Sequence, residues 1–318
     1  MGLRLSVRRQ AWHHRVEAVA DSLPGLIPVV KGNGYGFGRT VLMPIAARLG
    51  THIAVGTVYE ACDVPADRTA IVLTPHIGAV ADLPVGAVLT VGSIAHVEAL
   101  RAQLWTGDVI LKLRSSMRRY GVAPSNLESL AAAVTAAGCT AISYALHLPL
   151  AGSQADHEAE VTAWLAHLDP GLAISVSHLD QGTYARLGNE HPERSFRIRS
   201  GTALWHGDKS LLHLSADVLD VQSVSAGRAV GYRATIVPAD GQLVLVAAGS
   251  AHGVRPLENG LSPFHFGRER MLLVEPAHMH TSMLFVPNGG RCPGITDRVD
   301  VQRPLISTLI DELEWVDE

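Results

Sequence analysis

The sequence predicts an α/β protein in which an N-terminal (β/α)8 barrel of the TIM type is followed by a smaller, mostly β domain. Up to about residue 212, short apolar runs alternate with alanine-rich segments of helical period, the pattern of parallel strands joined by crossover helices. Beyond that point the helical segments give way to short strand-like runs separated by glycine, proline and asparagine. We therefore place the barrel at residues 1–212 and the β domain at residues 213–318.

Eight apolar runs are predicted to be the barrel strands. In chain order they read GLIPVVK, THIAVGT, AIVLTP, AVLTVGS, DVILKLR, CTAISYAL, AISVSHL and FRIRSGTALW. Intervening segments such as VLMPIAARLG, SIAHVEALRAQLW and APSNLESLAAAVTAAG carry apolar residues at i, i+3 and i+4 and end in or near glycine, as amphipathic helices do. Such a barrel has its active site at the carboxyl ends of the strands.

The second domain is predicted from LSADVLDVQSVSAG, RAVGYRATIVPADGQLVLVAAGS, RMLLVEPAHMHTSMLFV and DRVDVQRPL, which are typical of short strands joined by turns. No low-complexity linker or longer repeat interrupts the chain.

The composition favours a globular protein that acts on a small molecule. Of the 318 residues, 47% are hydrophobic and 18% are charged, and the formal net charge is −4 with scattered Lys and Arg, which argues against a nucleic-acid partner. No run approaches the ~20 apolar residues of a membrane span. The cysteines Cys62, Cys139 and Cys292 are far apart, so neither a disulfide framework nor a CxxC site is indicated. We expect a cytoplasmic protein.

The segment VVKGNGYGFG, residues 29–38, ends a predicted buried strand on Lys31 and follows it with four glycines in seven residues. Apolar walls around a strand-end amine disfavour its charged form, and a neutral lysine can bond covalently to a carbonyl group. The glycines allow the backbone to approach a planar ligand and its phosphate. A solvent-facing lysine beside an ordinary turn is the alternative on this segment alone.

This segment resembles the pyridoxal-phosphate motif VVKANAYGHG of the alanine racemase family, the fold-type III pyridoxal enzymes. The resemblance implies that Lys31 carries the cofactor and that Tyr35 is a phosphate ligand. At the fifth predicted strand, LKLRSSMRRYGV resembles LKxDTGMxRLGF, which makes Lys112 the lysine that is carbamylated in many members. Arg119 then contacts the cofactor's phenolic oxygen and the substrate carboxylate. The departure is Arg114, where the family has aspartate.

The eighth strand segment, RIRSGTALWHG, resembles VRPGIALYG of the family. The resemblance implies that Arg199 faces the pyridine nitrogen and that the backbone of Gly201 and Thr202 holds the phosphate, with Ser177 of SVSHL as a further phosphate ligand. An arginine does not readily give up a proton, so the pyridine ring is a weaker electron sink than one paired with a carboxylate. Brief carbanion formation and return of the proton suit racemisation.

Racemisation needs acid/base groups on both faces of the substrate Cα. By the resemblance, Lys31 serves one face and Tyr232 of VGYRAT, similar to VGYGGT or VSYGAT, serves the other from the second subunit of a homodimer. His147 matches, with a slip of one residue, the histidine that supports the catalytic tyrosine.

Two loops depart from the family. GYADG is replaced by GSAHG and CMDQ by HMHT; Met279 is kept as a substrate-pocket residue, while the changed positions are Ser250, His252, His278 and His280. His278 and His280 alternate on a predicted strand and so share a face. No HExxH or Cys-rich ligand set accompanies them, and we expect no metal.

The chain is thus identified as a divergent member of the alanine racemase family, with pyridoxal 5′-phosphate on Lys31 and L-alanine/D-alanine as the substrate that the resemblance implies. A racemase for another amino acid is one alternative, because the substrate loops are changed. A catalytically degenerate pyridoxal-phosphate-binding or regulatory protein of the same fold is the other. A decarboxylase of this fold type is disfavoured, since it would place an acidic residue where Arg199 stands.

Overall fold

The computed structural model describes residues 1–79 and 83–317 and divides into two compact units. The barrel unit comprises Arg15–Gly34 and Arg39–Gly207. The β unit comprises Met1–His14, Tyr35–Gly38 and Asp208–Glu318. No helix in the described part of the chain combines the length and apolar character needed to cross a membrane.

The secondary structure consists of nineteen strands and seven α-helices over the described residues. The strands are β1 (Leu3–Arg8), β2 (Leu26–Pro28), β3 (His52–Val55), β4 (Thr69–Val72), β5 (Leu89–Val91), β6 (Asp108–Lys112), β7 (Thr140–Ala145), β8 (Ala173–Val176), β9 (Phe196–Ser200), β10 (Leu212–Val224), β11 (Ala229–Val230), β12 (Thr235–Ile236), β13 (Gly241–Val246), β14 (Phe264–Phe266), β15 (Glu269–Arg270), β16 (Leu272–Leu273), β17 (Ser282–Pro287), β18 (Arg298–Val301) and β19 (Glu312–Val316). The helices are α1 (Arg9–Asp21), α2 (Arg39–Leu49), α3 (Ile94–Ala102), α4 (Leu127–Ala136), α5 (Gln154–Leu165), α6 (Gln181–Glu190) and α7 (Thr202–His206).

The strands β2 to β9 form a ring of parallel strands. Six of them are paired in the order β2-β9-β8-β7-β6-β5, and β3 pairs with β4. Isolated bridges close the two remaining gaps, between Val29 and Ala54 and between Ile71 and Val88. The eight strands coincide with the eight apolar runs, which confirms the predicted (β/α)8 barrel.

The helices outside the ring are incomplete relative to the ideal barrel. α2 to α6 each connect consecutive strands, but β3 is followed by a 3-10 helix at Val58–Asp63. The described residues between β4 and β5 contain no helix. The connection after β3 is therefore a short 3-10 segment at the carboxyl end of the barrel, and its Glu60 acts electrostatically on Lys31.

The β unit is built on a nine-stranded sheet in the order β15-β14-β18-β10-β13-β17-β16, with β1 beside β10 and β19 beside β1. The long strand β10 pairs with β1 and β18 in its first half and with β13 from Val218 onward, with an irregularity between Val218 and Asp220. Val237, Leu243 and Phe285 form a buried apolar cluster. This confirms a mostly β second part of the fold.

Strand β1 was not among the predicted strands. Its sequence LRLSVR alternates buried Leu3, Leu5 and Val7 with polar residues, the period of a half-buried strand. It pairs antiparallel with β10 and parallel with β19, so that residues from both ends of the sequence share one sheet.

Candidate active site

Lys31 follows β2 at the carboxyl end of the barrel, where the sequence places it. Its side chain is accessible to solvent. The pKa of Lys31 is nevertheless lowered, first by partial burial of the amine and then by the positive charge of Arg119, with a smaller effect of Arg199. The carboxylate of Glu60 acts in the opposite direction. The neutral amine is therefore more populated than in a free lysine.

A network of hydrogen bonds fixes the backbone just after Lys31. Glu60 accepts hydrogen bonds from the amides of Gly32 at 2.9 Å and Gly56 at 2.6 Å. The Gly32 carbonyl accepts a hydrogen bond from Arg39 at 2.6 Å, and Arg39 is paired with Asp63. Both polar groups of Gly32 are thus held by side chains from neighbouring barrel segments.

Arg199 is buried in the wall of the barrel on β9, with 6% of its surface exposed. Its guanidinium donates to the carbonyl oxygen of Ser175 at 2.9 Å, to the Ser175 hydroxyl, and to the carbonyl of Leu146 at 2.8 Å. Burial lowers the pKa of Arg199 to about 10, assisted by the charge of Arg119. The guanidinium remains charged at neutral pH and is held in one orientation by β8 and by Leu146, just beyond the end of β7.

Lys112 is the last residue of β6 and is also only 6% exposed. Burial lowers the pKa of Lys112 well below that of a free lysine, and the charges of Arg199 and Arg119 lower it further. Arg119, in the loop after β6, is exposed and lies over the ring of Tyr120 with its guanidinium carbon 4.9 Å from the ring centroid. These side chains give this end of the barrel an excess of positive charge.

His147 and Ser177 share a hydrogen bond of 2.7 Å between Nδ1 and Oγ. Burial lowers the pKa of His147 to about 2, and the charges of Arg199 and Lys112 contribute, so the imidazole is neutral. The ring of His178 lies 4.8 Å from that of His147, and His178 has a left-handed backbone with φ of 63°. Burial also lowers the pKa of His178, so the two imidazoles form a polar, uncharged part of this end of the barrel.

The two residues predicted to hold a phosphate by their backbone lie directly after β9. Gly201 precedes α7, and Thr202 is its first residue. Trp205 of the same short helix donates to the carbonyl of Val29 at 2.8 Å, which ties the helix to the end of β2. Tyr35 belongs to the β unit; it is buried and has a left-handed backbone with φ of 55°.

Tyr232 lies in the β unit, in the turn between β11 and β12, and is 87% exposed. Its amide and that of Arg233 donate to the buried carboxylate of Glu275, each at 2.9 Å. Glu275 also accepts a hydrogen bond from His278, whose ring lies 4.5 Å from that of Tyr232. The backbone of Tyr232 is thus held by Glu275, a residue 43 positions further along the chain.

The prediction that His278 and His280 share a face of a strand is wrong. Both lie in the loop before β17, where side chains do not alternate, and they face different neighbours. The ring of His280 lies 6.0 Å from that of His252, and buried His252 pairs with Asp311 at 3.1 Å. The described residues contain no group of three metal-ligating side chains. Met279, the residue between the two histidines, is exposed.

Sequence reasoning missed two acidic residues. Glu60 lies in the turn after β3, and its position just beyond a barrel strand was a signal that could have been used. Glu275 has no such signal, because its hydrogen-bond partner Tyr232 is 43 residues away in the chain.

Comparison with known proteins gives a consistent result. The model of the alanine racemase N-terminal domain matches residues 7–208. An alanine racemase of Alcanivorax borkumensis is 26% identical over 275 residues, which is 79% of this chain and 77% of that protein. The crystal structure of alanine racemase from Bartonella henselae, with covalently bound pyridoxal phosphate, superposes with a TM-score of 0.76 at 17% identity, covering 99% of this chain and 100% of that one. Alanine racemase from E. faecalis gives 0.73 at 19% identity, covering 99% and 98%.

Proposed function

Because the chain belongs to the alanine racemase family, we propose that it is a pyridoxal 5′-phosphate-dependent alanine racemase, an isomerase that interconverts L-alanine and D-alanine. The observation that carries this proposal is the group of cationic side chains at the carboxyl end of the barrel. The charges of Arg119 and Arg199 act on both Lys31 and Lys112, and both lysine pKa values are lowered. Glu60 is the carboxylate that acts on Lys31 in the opposite sense.

These residues fit pyridoxal phosphate, a ligand with a dianionic phosphate and an aldehyde. Lys31 offers an accessible amine with an increased neutral fraction, the form that bonds to an aldehyde. We assign the phosphate to Tyr35, Ser177, Gly201 and Thr202. When bound, the cofactor withdraws electrons from the substrate and so makes its Cα hydrogen acidic.

Each remaining residue has an assigned task. Lys31 and Tyr232 take and return the proton at Cα from opposite faces, as two acid/base groups must for inversion of configuration. Arg199 is the residue that would hold the pyridine nitrogen, and it keeps its own protons, because a guanidinium with a pKa of about 10 stays charged at neutral pH. Arg119 and Met279 bind the substrate. Lys112 is the candidate for carbamylation, which requires a neutral amine, and its lowered pKa favours that form.

We further propose a cytoplasmic homodimer in which the barrel, residues 1–212, carries the cofactor and residues 213–318 complete the active site of the partner subunit. The exposure of Tyr232, 87%, supports a tyrosine that acts on another chain. A second candidate function is racemisation of a different amino acid. Ser250, His252, His278 and His280, which stand where the family has other residues, favour it.

The test is proton NMR of the purified protein with pyridoxal phosphate in D₂O, with each common L-amino acid in turn. Loss of the Cα proton signal together with growth of the D-enantiomer, for alanine above all others, is the expected result. Lys31→Ala should abolish racemisation, and Tyr232→Phe should reduce it to a small residual rate. Exchange with another amino acid would identify the second candidate, and no exchange with any of them would reject racemase activity.

A further inference from the structure

Glu275 is a buried carboxylate that has no role in the racemisation proposed above. It lies between β16 and β17 with its side chain 2% exposed. Burial acts to raise the pKa of Glu275, but the hydrogen bonds from His278 and from the amides of Arg233 and Tyr232 outweigh it and leave the pKa below its ordinary value. A buried anion with three donors is a built feature, since an unpaired carboxylate at this depth would be costly.

The turn that carries Tyr232 is shaped around this carboxylate. Gly231 has a left-handed backbone with φ of 73°, and a Cβ atom at this position would overlap both carboxylate oxygens of Glu275. The next two amides, of Tyr232 and Arg233, point at the same oxygens at 2.9 Å. The backbone of the tyrosine is therefore fixed by an anion bound in a concave run of amides.

His278 fixes the side chain of Tyr232. Its Nε2 donates to Oε1 of Glu275 at 2.5 Å, and its ring packs on that of Tyr232 with centroids 4.5 Å apart and planes inclined by 54°. The backbone of His278 is anchored as well, because its carbonyl accepts a hydrogen bond from Ser250 at 2.7 Å. The ring of His278 is thus fixed both by its hydrogen bond to Glu275 and by the anchored backbone of its own residue.

The two loops that depart from the family are joined to each other. Besides the bond from Ser250 to His278, the amide of Ala251 donates to the carbonyl of Met279 at 2.9 Å. A Cβ atom at Gly249 would overlap the carbonyls of both His278 and Met279, so the loops are in close contact. Two of the replaced residues, Ser250 and His278, are therefore joined in one structure beside Tyr232.

We propose that Glu275 and His278 are positioning residues for Tyr232, with Glu275 fixing the backbone of the tyrosine and His278 fixing its ring. The inference rests on the proposed role of Tyr232 as the second acid/base group. An exposed tyrosine has many rotamers, and a displacement of ~1 Å at a reacting group costs about 100-fold in rate. The pair holds the hydroxyl in one place without touching the substrate.

The test uses the holoenzyme with pyridoxal phosphate and compares Glu275→Gln, His278→Ala and Tyr232→Phe. Two rates are measured in D₂O: racemisation of alanine in both directions, and incorporation of deuterium at Cα with retention of configuration. Retention requires one base on one face, so Lys31 alone can support it. A measurable rate of exchange with retention therefore shows that a variant is folded and carries pyridoxal phosphate.

We expect Glu275→Gln and His278→Ala to lower kcat for racemisation by about 10- to 100-fold with little change in KM, while exchange with retention persists for one enantiomer. The double variant Tyr232→Phe with His278→Ala should be no slower than Tyr232→Phe, because the histidine acts through the tyrosine. His213→Ala and Asp300→Asn, which disrupt an exposed His–Asp pair of the same unit, are the matched controls and should behave as the unaltered protein.

Equal loss of racemisation and exchange would mean that the pair supports folding or cofactor binding, and would overturn the inference. Unchanged racemisation in both single variants would overturn it too, as would an additive double variant. These results presuppose an active protein that Tyr232→Phe impairs. If Tyr232→Phe racemises alanine at the normal rate, or the unaltered protein does not racemise it, the proposed function itself fails and the inference with it.

Discussion

The carboxylate of Glu60 accepts a hydrogen bond from the amide of Gly32, the residue that follows Lys31, at 2.9 Å. Glu60 therefore affects the lysine in two ways. It fixes the peptide next to the amine, and its negative charge raises the pKa that burial and Arg119 lower. The reactivity of Lys31 is a balance between these opposed effects.

Glu60→Gln should shift that balance. Removing the charge removes the interaction that raises the pKa of Lys31, so the amine becomes neutral at lower pH. Attachment of pyridoxal phosphate to the cofactor-free protein should therefore begin at lower pH. Borohydride reduction followed by mass spectrometry measures the attached fraction against pH, with few competing amines because the chain has three lysines. Glu98→Gln, which alters an exposed ion pair with Arg101, is the control. If the attachment profile of Glu60→Gln moved to higher pH, the prediction would be contradicted.

Lys112→Met should stabilise the protein in the absence of cofactor. The pKa of Lys112 is lowered by burial, so between that value and the ordinary lysine value the unfolded chain binds more protons than the folded chain. Stability of the unaltered protein must then rise with pH across this window. At neutral pH the methionine variant should gain ~1–3 kcal/mol in the free energy of unfolding, and the gain should shrink towards alkaline pH.

Denaturant unfolding at several pH values measures this difference between the unaltered protein and Lys112→Met. Lys209→Met, at an exposed position, is the control and should change little. A methionine variant less stable than the unaltered protein would show that the Lys112 amine has a favourable partner.

Arg199→Lys should destabilise the barrel. The guanidinium uses two nitrogens to reach Ser175 and Leu146 on different segments, and a single ammonium does not span both. A buried carbonyl left without a donor costs ~1–3 kcal/mol. The thermal midpoint of the cofactor-free protein should fall accordingly. Arg186→Lys, which alters an exposed pair with Glu158, should leave the midpoint nearly unchanged, and an equal effect of both substitutions would count against the prediction.

Gly34→Ala should be much less tolerated than Gly32→Ala, although each restores the alanine of the family motif. Both glycines have a left-handed backbone, with φ of 63° and 60°, which costs an alanine ~1–2 kcal/mol. A Cβ atom at Gly34 would also overlap the backbone nitrogen of Arg39, whereas one at Gly32 meets no atom within 4 Å. Unfolding midpoints of the two variants measure the difference; equal losses would show that the loop relaxes.

The sequence predicted those parts of the fold that local patterns encode. The eight barrel strands coincide with apolar runs, and Lys31, Lys112 and Arg199 lie at or near the ends of the strands on which they were placed. Strand β1 was missed because six residues rich in arginine carry a weak signal, and its partners Ala216 and Glu312 are more than 200 residues away. Pairing over such distances is decided by the sheet as a whole.

The loops of the β unit were the least predictable part. Alternation of His278 and His280 suggested a strand, yet the segment is a loop shaped by hydrogen bonds to Ser250 and Glu275. His278 packs on Tyr232, which lies 46 positions earlier in the chain, and such a contact produces no periodic pattern in either segment. Such contacts are found only when the fold brings the two segments together.

The placement of β1 between β10 and β19 has a consequence for synthesis of the chain on the ribosome. The amide of Leu3 donates a hydrogen bond to Asp311, just before β19, across 308 positions, so the sheet lacks β19 until the ribosome has passed residue 316. At roughly 5–20 residues per second this delay is on the order of 15–60 s. During that time the apolar residues Leu3, Leu5 and Val7 have no completed sheet to cover them. Until β19 has been made, the nascent β1 thus presents apolar side chains that the finished sheet buries.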